Sequence, residues 1–316
     1  MYVVTGGAGF IGSSLVRALL ADGEQVVVLD DFSTGHRANL EGLDGTRLCV
    51  IEANILDGLD APMSHVEASW GAPTAIVHLA AQVSVAASLE DPIGDAHRNH
   101  CGTLHVLEFA RKHSGTRVVF ASSAATYGDV DEVPVREGSA RWPLSPYGVH
   151  KFSSELSLRA YAEVHDAPTT SLRFFNVYGP RQDPNSPYSG VISIFMKRAL
   201  AGEPLTVHGE GEQTRDFVFV SDVVQAIRNA ASKDFSGDVF NVGTGEQTSI
   251  KTLAETIARL AGQDSLLTFA APRLGDIVHS CAELSHSRAG LGYEPSVGLE
   301  DGLAQTLAWF QSESGN

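Results

Sequence analysis

Tyr147 and Lys151 stand four residues apart in the segment Pro146-Tyr147-Gly148-Val149-His150-Lys151. On a helix that spacing puts both side chains on one face. A free phenol titrates near pH 10, too high for a base at neutral pH. A neighbouring ammonium favours the phenolate, and a phenolate beside a hydride acceptor can take the proton of a carbinol as it is oxidised. The spacing arises by chance in roughly half of chains this long, so its setting matters more. The pair opens a helical segment after the fifth predicted strand, and that strand runs out into Ala121-Ser122-Ser123-Ala124-Ala125. Ser123 is thereby placed to hydrogen-bond the oxygen that Tyr147 deprotonates. Tyr147, Lys151 and Ser123 form the expected catalytic set.

A hydride acceptor is signalled near residue 1. Tyr2-Val3-Val4 lead into Thr5-Gly6-Gly7-Ala8-Gly9-Phe10-Ile11-Gly12, and a helical pattern containing Leu15, Val16, Leu19 and Leu20 follows. Strand, glycine loop and helix in that order make a dinucleotide cradle. Gly6 permits a tight turn, Gly9 lets backbone approach a pyrophosphate, and Gly12 lets the helix pack on the strand. The diphosphate then rests on the helix N-terminus. The spacing G-x-x-G-x-x-G departs from the usual G-x-G-x-x-G, so the strand-turn-helix setting carries the reading. The second predicted strand ends at Asp30 and Asp31. A carboxylate there accepts hydrogen bonds from the adenosine ribose and repels a 2′-phosphate, so NAD is expected rather than NADP.

The elements that must hold these groups follow from alternation. Short β-branched runs alternate with helix-period segments through the first half, the mark of βαβ units and a parallel sheet buried on both faces. Strands are predicted at Tyr2 to Thr5, Gln25 to Asp30, Leu48 to Ile51, Ala75 to Leu79, Arg117 to Ala121 and Thr169 to Phe174. The expected fold class is α/β, a Rossmann-type doubly wound parallel sheet. After Phe175 the pattern turns to loops rich in Gly, Pro and Asn, with a strand at Val239 to Val242 and a helix at Ile250 to Leu260. This reads as a smaller C-terminal substrate lobe. The expected division is 1–175 for the dinucleotide domain and 176–316 mainly for the lobe, with some segments returning to the main domain. No internal repeat or low-complexity linker separates them, so a shared cleft is expected.

Composition narrows the setting. With 316 residues, 43% of them hydrophobic, the chain can bury a large core. It has no run of eighteen apolar residues, and a strand-like run starts directly after Met1, so a soluble cytoplasmic protein is expected. Three dispersed cysteines, Cys49, Cys101 and Cys281, suit free thiols in a reducing compartment better than disulfides or zinc. His97 and His100 form no recognised ligand set, and no metal is expected. A formal charge of −16 with no basic block argues against nucleic acid or an anionic membrane as partner. An anionic ligand must therefore be held by locally placed arginines and helix N-termini.

The glycine loop, His78-Leu79-Ala80-Ala81, Asn99 with Gly102-Thr103, Ser122-Ser123 and Tyr147 with Lys151 together resemble the extended short-chain dehydrogenase/reductase family, in its nucleotide-sugar epimerase and dehydratase branch. The resemblance continues through Arg173 to Pro180, Gly211 to Phe217, Asn241-Val242-Gly243 and Arg273-Leu274-Gly275-Asp276, and so spans nearly the whole chain. It implies that NAD is bound by Gly6, Gly9, Phe10, Ile11, Gly12, Asp30, Asp31, Ser33, Asn54, Ile55, Leu79, Ala80, Ala81, Asn99, Ser122, Tyr147 and Lys151. It implies that a nucleotide-diphosphate hexose is held by Ser84, Ser123, Asn176, Arg215, Arg273 and Asp276, with Gly190, Val191, Val207 and His208 shaping the nucleotide pocket and Ser280 lying near the sugar. Arginine forks match phosphate oxygens, which fits the local compensation that the overall charge demands. A homodimer through the helical segments Asp95 to His113 and Tyr147 to His165 is implied as well.

Three departures from the family pattern narrow the reaction. Dehydratases carry an acid just after the strand-end serine or threonine, and this chain has Ala124 and Ala125. Epimerisation needs no such acid, so the expected activity is NAD-dependent 4-epimerisation of a UDP-hexose through a 4-keto sugar. Ser280 stands where some relatives place a tyrosine against the sugar 2-substituent, so UDP-N-acetylglucosamine is expected to fit as well as UDP-glucose. Asn54 replaces a frequent acid beside the adenine. Two other classes remain open: a keto-sugar or ketone reductase that consumes NAD(P)H, and a non-catalytic sensor of NAD or sugar nucleotide. Retention of both Tyr147 and Lys151 speaks against the sensor.

Overall fold

The computed structural model describes residues 1–130, 132–183, 190–233, 235–263, 267–272 and 277–314. Six strands, β1 (Tyr2–Thr5), β2 (Val26–Asp30), β3 (Leu48–Glu52), β4 (Ala75–His78), β5 (Arg117–Ser123) and β6 (Thr169–Phe174), alternate with helices α1 (Phe10–Ala21), α2 (Asp60–Trp70), α3 (Val85–Glu90), α4 (Pro92–Asp95), α5 (Gly102–Lys112) and α6 (Pro146–His165). A π-helical turn, Ala96–Cys101, joins α4 to α5. Beyond it come β7 (Asn176–Tyr178), α7 (Val191–Leu200), β8 (Leu205–His208), β9 (Thr214–Arg215), β10 (Phe217–Phe219), α8 (Val220–Ser232), β11 (Asp238–Val242), β12 (Thr248–Ser249), α9 (Ile250–Leu260), β13 (Leu267–Ala270), α10 (Ser285–Leu291) and α11 (Leu299–Ser314).

Seven of these strands make one parallel sheet in the order β11-β6-β5-β4-β1-β2-β3. This is the doubly wound α/β fold expected from the alternation. The predicted strands all form, within two residues at either end, and the predicted helix at Ile250 to Leu260 forms as α9. One placement differs. Val239 to Val242 was expected in the lobe but pairs with β6, Val242 opposite Phe174, as the seventh strand of the main sheet. Strand pairing at a separation of some seventy residues leaves no local trace, so pattern alone could not place it.

Side-chain alternation explains how the sheet is buried on both faces. Val26 and Val28 join Val4, Val77, Val223 and Ile227 in one core, while Val27 and Leu29 join Val3, Ile76, Val106, Leu107 and Leu158 in the other. Each such fully buried aliphatic side chain contributes about 1.5–3 kcal/mol. A separate core built from Ile192, Phe195, Leu205, Val207, Leu253, Ile257 and Leu307 holds the lobe. From the β1–β4 pair the chain runs to β2 on one side and β5 on the other, which makes the carboxyl end of that pair the natural ligand crevice. Among the described residues, no helix is long and apolar enough to cross a membrane.

Candidate active site

The glycine loop crosses the carboxyl end of β1. Gly6 has φ +70°, and a β-carbon there would meet the backbone of Ala80 at 2.7 Å, so the loop is pressed against the turn after β4. At Gly12 a β-carbon would stand 2.2 Å from the Gly6 carbonyl oxygen, whereas at Gly9, the N-cap of α1, the nearest atom is 3.3 Å away. Tight packing below and open space above suit a diphosphate at this helix N-terminus, so these residues fit a dinucleotide. Phe10 and Ile11 are half-buried and pack on the hydrophobic cores, leaving their backbone to face a ligand.

Asp30 ties the loop to β2. Its carboxylate accepts hydrogen bonds from the backbone N–H of Ala8 (2.8 Å) and of Phe32 (2.9 Å). Burial raises its pKa, and those two bonds oppose the rise. The exposed carboxylate of Asp31 accepts from the amide and hydroxyl of Ser33 and, at 3.3 Å, from the side chain of Asn54. Asn54 caps the short helical turn that begins at Ile55, and Ile55 packs against Gly102. The structure thus gathers Asp30, Asp31, Ser33 and Asn54 at one end of the crevice.

His78 organises the middle. The Thr103 hydroxyl donates to the Asn99 carbonyl (2.6 Å), so His78 Nε2 must donate to Thr103 Oγ1 (3.1 Å). His78 Nδ1 then accepts from the hydroxyl of Thr5 (2.8 Å), whose oxygen accepts from Ala80 N–H (3.3 Å). Burial, assisted by the nearby Lys151 charge, pulls the imidazole down to about 3. Leu79, Ala80 and Ala81 are half-buried on this turn. The Asn99 amide clamps the following residue, accepting from Gln82 N–H and donating to its carbonyl, both at 2.9 Å.

The three residues expected to be catalytic meet at the carboxyl end of β5. Ser145 caps α6 by accepting from Gly148 N–H, and Pro146 occupies its first turn. That start sets Tyr147 and Lys151 one turn apart on the buried face. The Ser123 side chain neighbours the Tyr147 phenol and favours its ionised form. Lys151 lies within 4.7 Å of the Phe120 ring centroid and 5.9 Å of that of Tyr147, and its Nζ donates to the carbonyl of Ala121 at 2.8 Å. Burial pushes the Tyr147 phenol up to about 12, with the neighbouring Ser123 hydroxyl opposing and the carboxylate of Asp95 adding to the rise. Burial pulls Lys151 down to about 8 against the pull of Asp95 and Glu155. Burial therefore outweighs the acidifying effect of Lys151 expected from the sequence. The positive charge of an oxidised nicotinamide is the remaining interaction that favours phenolate.

Neighbouring residues separate into two groups. Ser122, expected at the cofactor, turns its hydroxyl to Glu155, which forms a buried bidentate pair with Arg173. Ser84 caps α3, its hydroxyl accepting from Ala87 N–H. Asn176 donates to the Asp216 carbonyl and, with Val191, His208 and Arg215, lines a cleft of about 320 Å³. Gly190 caps α7 beside it. Val207 faces the lobe core instead, because side chains alternate along β8 and its neighbours Thr206 and His208 take the cleft side. Ser280 donates its N–H to the Thr214 carbonyl, one residue before Arg215. Arg273 and Asp276 lie outside the described residues.

The cleft also contains Ile194, Arg198 and Gln213, which sequence reasoning missed. A signal existed, since Val191, Ile194 and Arg198 fall on one stripe of a helix. Among the described residues, no group of three His, Cys, Asp or Glu is placed to hold a metal.

A dinucleotide crevice at the β1–β4 switch point, with a Ser-Tyr-Lys set at its lip, defines a nicotinamide-dependent α/β protein that handles carbinols and ketones. The family is fixed by comparison: residues 2–243 match the model of the NAD dependent epimerase/dehydratase family, and the chain belongs to that family. It is 40% identical over 314 residues to the UDP-glucose 4-epimerase of Mycolicibacterium smegmatis, with 99% of each chain covered. The solved UDP-glucose 4-epimerase of Thermotoga maritima with UDP-glucose superimposes with a TM-score of 0.91 at 37% identity, covering 99% of both chains. The UDP-N-acetylglucosamine 4-epimerase of Methanobrevibacter ruminantium, in complex with UDP-N-acetylmuramic acid, gives 0.91 at 34%, covering 99% of this chain and 98% of that one.

Proposed function

We propose that this protein catalyses the NAD-dependent 4-epimerisation of a UDP-hexose, UDP-glucose with UDP-galactose first, and their N-acetyl counterparts in addition. The observation that carries this is the convergence of Ser123, Tyr147 and Lys151 beside the dinucleotide crevice, with Ala124 and Ala125 where a dehydratase needs an acid. Residues 1–175 serve mainly the cofactor and 176–316 mainly the substrate.

NAD, held by the glycine loop and the Asp30–Asp31 end of the crevice, would supply a reversible hydride acceptor for the sugar C4. Tyr147 takes the O4 proton and later gives it back, Ser123 orients the oxygen, and Lys151 holds positive charge next to the phenolate. Arg215 in the cleft, with Arg273, holds the diphosphate while the 4-keto sugar turns about it, and Asn176 and Asp276 contact the rest of the substrate. Burial of Tyr147 and Lys151 keeps water from the ketone. Ser280 leaves room at the sugar 2-substituent.

The protein is further assigned to the cytoplasm, in keeping with its three free cysteines, and to a homodimer through α5 and α6. Leu156 and Val164 on the outer face of α6 are 54% and 73% exposed, while Leu107 and Leu158 are buried on the sheet.

The deciding experiment incubates purified protein, without added cofactor, with UDP-glucose, UDP-galactose and their N-acetyl and uronate counterparts, and follows the anomeric protons by NMR. Interconversion is expected for the glucose and N-acetylglucosamine pairs. Turnover only with stoichiometric consumption of NADH would replace the epimerase by a reductase.

A further inference from the structure

Asp95 ends the short helix α4, one turn before Asn99, and is fully buried. Its Oδ1 accepts from the side-chain amides of Gln82 (2.7 Å) and Asn99 (2.9 Å), and its Oδ2 faces Nδ1 of His150 at 2.6 Å. Gln82 in turn bonds Ser84 twice, donating to its carbonyl at 2.9 Å and accepting from its N–H. His150 lies between Tyr147 and Lys151 in the first turns of α6. One carboxylate therefore ties three pieces of chain together: the turn that carries Ser84, the π-helical turn that carries Asn99, and the helix that carries the phenol and the ammonium.

A buried carboxylate is costly unless it is paired and hydrogen-bonded, and here its partners come from the turn after β4, the π-helical turn and the helix that carries Tyr147. The packing of α4 on α3, the π-helical turn and α6 requires no charge at this position. We propose that Asp95 is a positioning residue of the reaction, locking the sugar-side turn Gln82–Ser84 to the helix of Tyr147 and Lys151 and setting the electrostatic field in which the phenol works. The inference rests on the role given above to Tyr147.

The groups facing that phenol are few. Ser123 comes from β5 and Asp95 from α4, and Lys151 of α6 itself lies 5.9 Å from the ring centroid; Asp95 and Glu155 act on Lys151, whose charge with burial keeps His78 neutral, and His100 adjoins His150, the partner of Asp95. Asp95 disfavours phenolate and favours ammonium. Its removal therefore moves both groups the same way, towards lower pH. Asp95→Asn keeps the shape, offers its oxygen to Gln82 and Asn99, and removes the charge; its amide now faces His150 as a donor, so Nδ1 of that ring must switch from donating to accepting.

The test titrates the phenolate absorbance of the NAD-loaded protein, subtracting the spectrum of Tyr147→Phe to isolate Tyr147. In Asp95→Asn the midpoint is expected to fall by about one pH unit, and where turnover is measured the acid limb of kcat/KM falls with it. Gln82→Met, which cuts the tie to Ser84 and leaves the charge, is expected to raise KM for UDP-glucose at least fivefold with the phenolate midpoint unmoved. A midpoint in Asp95→Asn equal to that of the parent overturns the inference. If that variant does not fold, an unchanged KM in Gln82→Met does so. The optical titration needs no turnover, so absence of epimerase activity in the parent would sink the functional reading and leave this test standing.

Discussion

A β-carbon on Gly148 would stand 2.5 Å from the carbonyl oxygen of Ala125, so the first turn of α6 and the turn that follows Ser123 touch backbone to backbone. Pro143 closes the same position from another side at 2.9 Å. Neither neighbour is the end of a flexible side chain, so any side chain here must move the helix. Gly148→Ala is expected to fold and to lower kcat by about tenfold to a hundredfold, because it shifts Tyr147 relative to Ser123 by a fraction of an ångström. Steady-state kinetics at saturating UDP-glucose check it, and wild-type kcat would show that the trio tolerates the displacement.

Tyr147→Phe removes the proposed proton acceptor and the phenol's interaction with Ser123. Turnover should fall by a factor of about a thousand, while stability changes by about 1 kcal/mol. Thermal unfolding alongside the NMR assay separates the two, and turnover within tenfold of the parent would take the phenol out of the chemistry.

The parts of the site that announce themselves in the sequence are those fixed by local geometry. Gly6, Gly9 and Gly12 are dictated by one turn, and Tyr147 and Lys151 by one helix face. Parts built by distant contacts do not announce themselves. Asp95, Gln82 and His150 meet only because α4, the turn after β4 and α6 pack together. The same holds for β11, whose place beside β6 depends on a pairing that no window of sequence contains. Val207 is an intermediate case: Leu205-Thr206-Val207-His208 alternates plainly, and the period-two rule alone turns Val207 away from the cleft that takes Thr206 and His208.

Two glycines of the loop should fail in opposite ways. Gly12→Ala drives a methyl group to 2.2 Å from the Gly6 carbonyl oxygen and should cost about 2 kcal/mol or more of stability. Gly9→Ala meets nothing closer than 3.3 Å and should leave stability within about 0.5 kcal/mol. Its methyl group rises where the pyrophosphate approaches, so NAD affinity should drop by about tenfold or more. Urea unfolding of the cofactor-free variants and titration with NAD test both halves, and the same defect in both variants would refute the assignment.

His78 makes the fold acid-sensitive. Its folded pKa lies at about 3 against an ordinary value of 6.5, so the folded protein holds it neutral while the unfolded chain takes up a proton. Its contribution to stability is therefore complete above pH 6.5 and is lost progressively as pH falls from there towards 3. Between pH 6.5 and 5, where few carboxylates titrate, the excess proton uptake on unfolding of the parent over His78→Gln should rise from about half a proton to nearly one. Urea midpoints measured across that range give the difference, and parallel pH profiles would mean that the ring is already protonated in the fold.

Arg198 shares a face of α7 with Val191 and Ile194, and its guanidinium donates to the Thr206 hydroxyl at 2.9 Å across the mouth of the cleft. Its loose approach to Glu203, 3.7 Å away on an exposed side chain, leaves its charge largely available in a protein that is acidic overall. The cleft lies in the lobe, away from the three residues at the end of β5, so Arg198 is expected to contact the anchored nucleotide and not the carbon that reacts. Arg198→Ala should therefore raise KM for UDP-glucose by about tenfold while kcat stays within about twofold, the pattern of an interaction made equally in ground and transition states. The opposite split, kcat lowered at unchanged KM, would place the sugar ring rather than the nucleotide against α7 and reverse the direction in which substrate lies across the cleft.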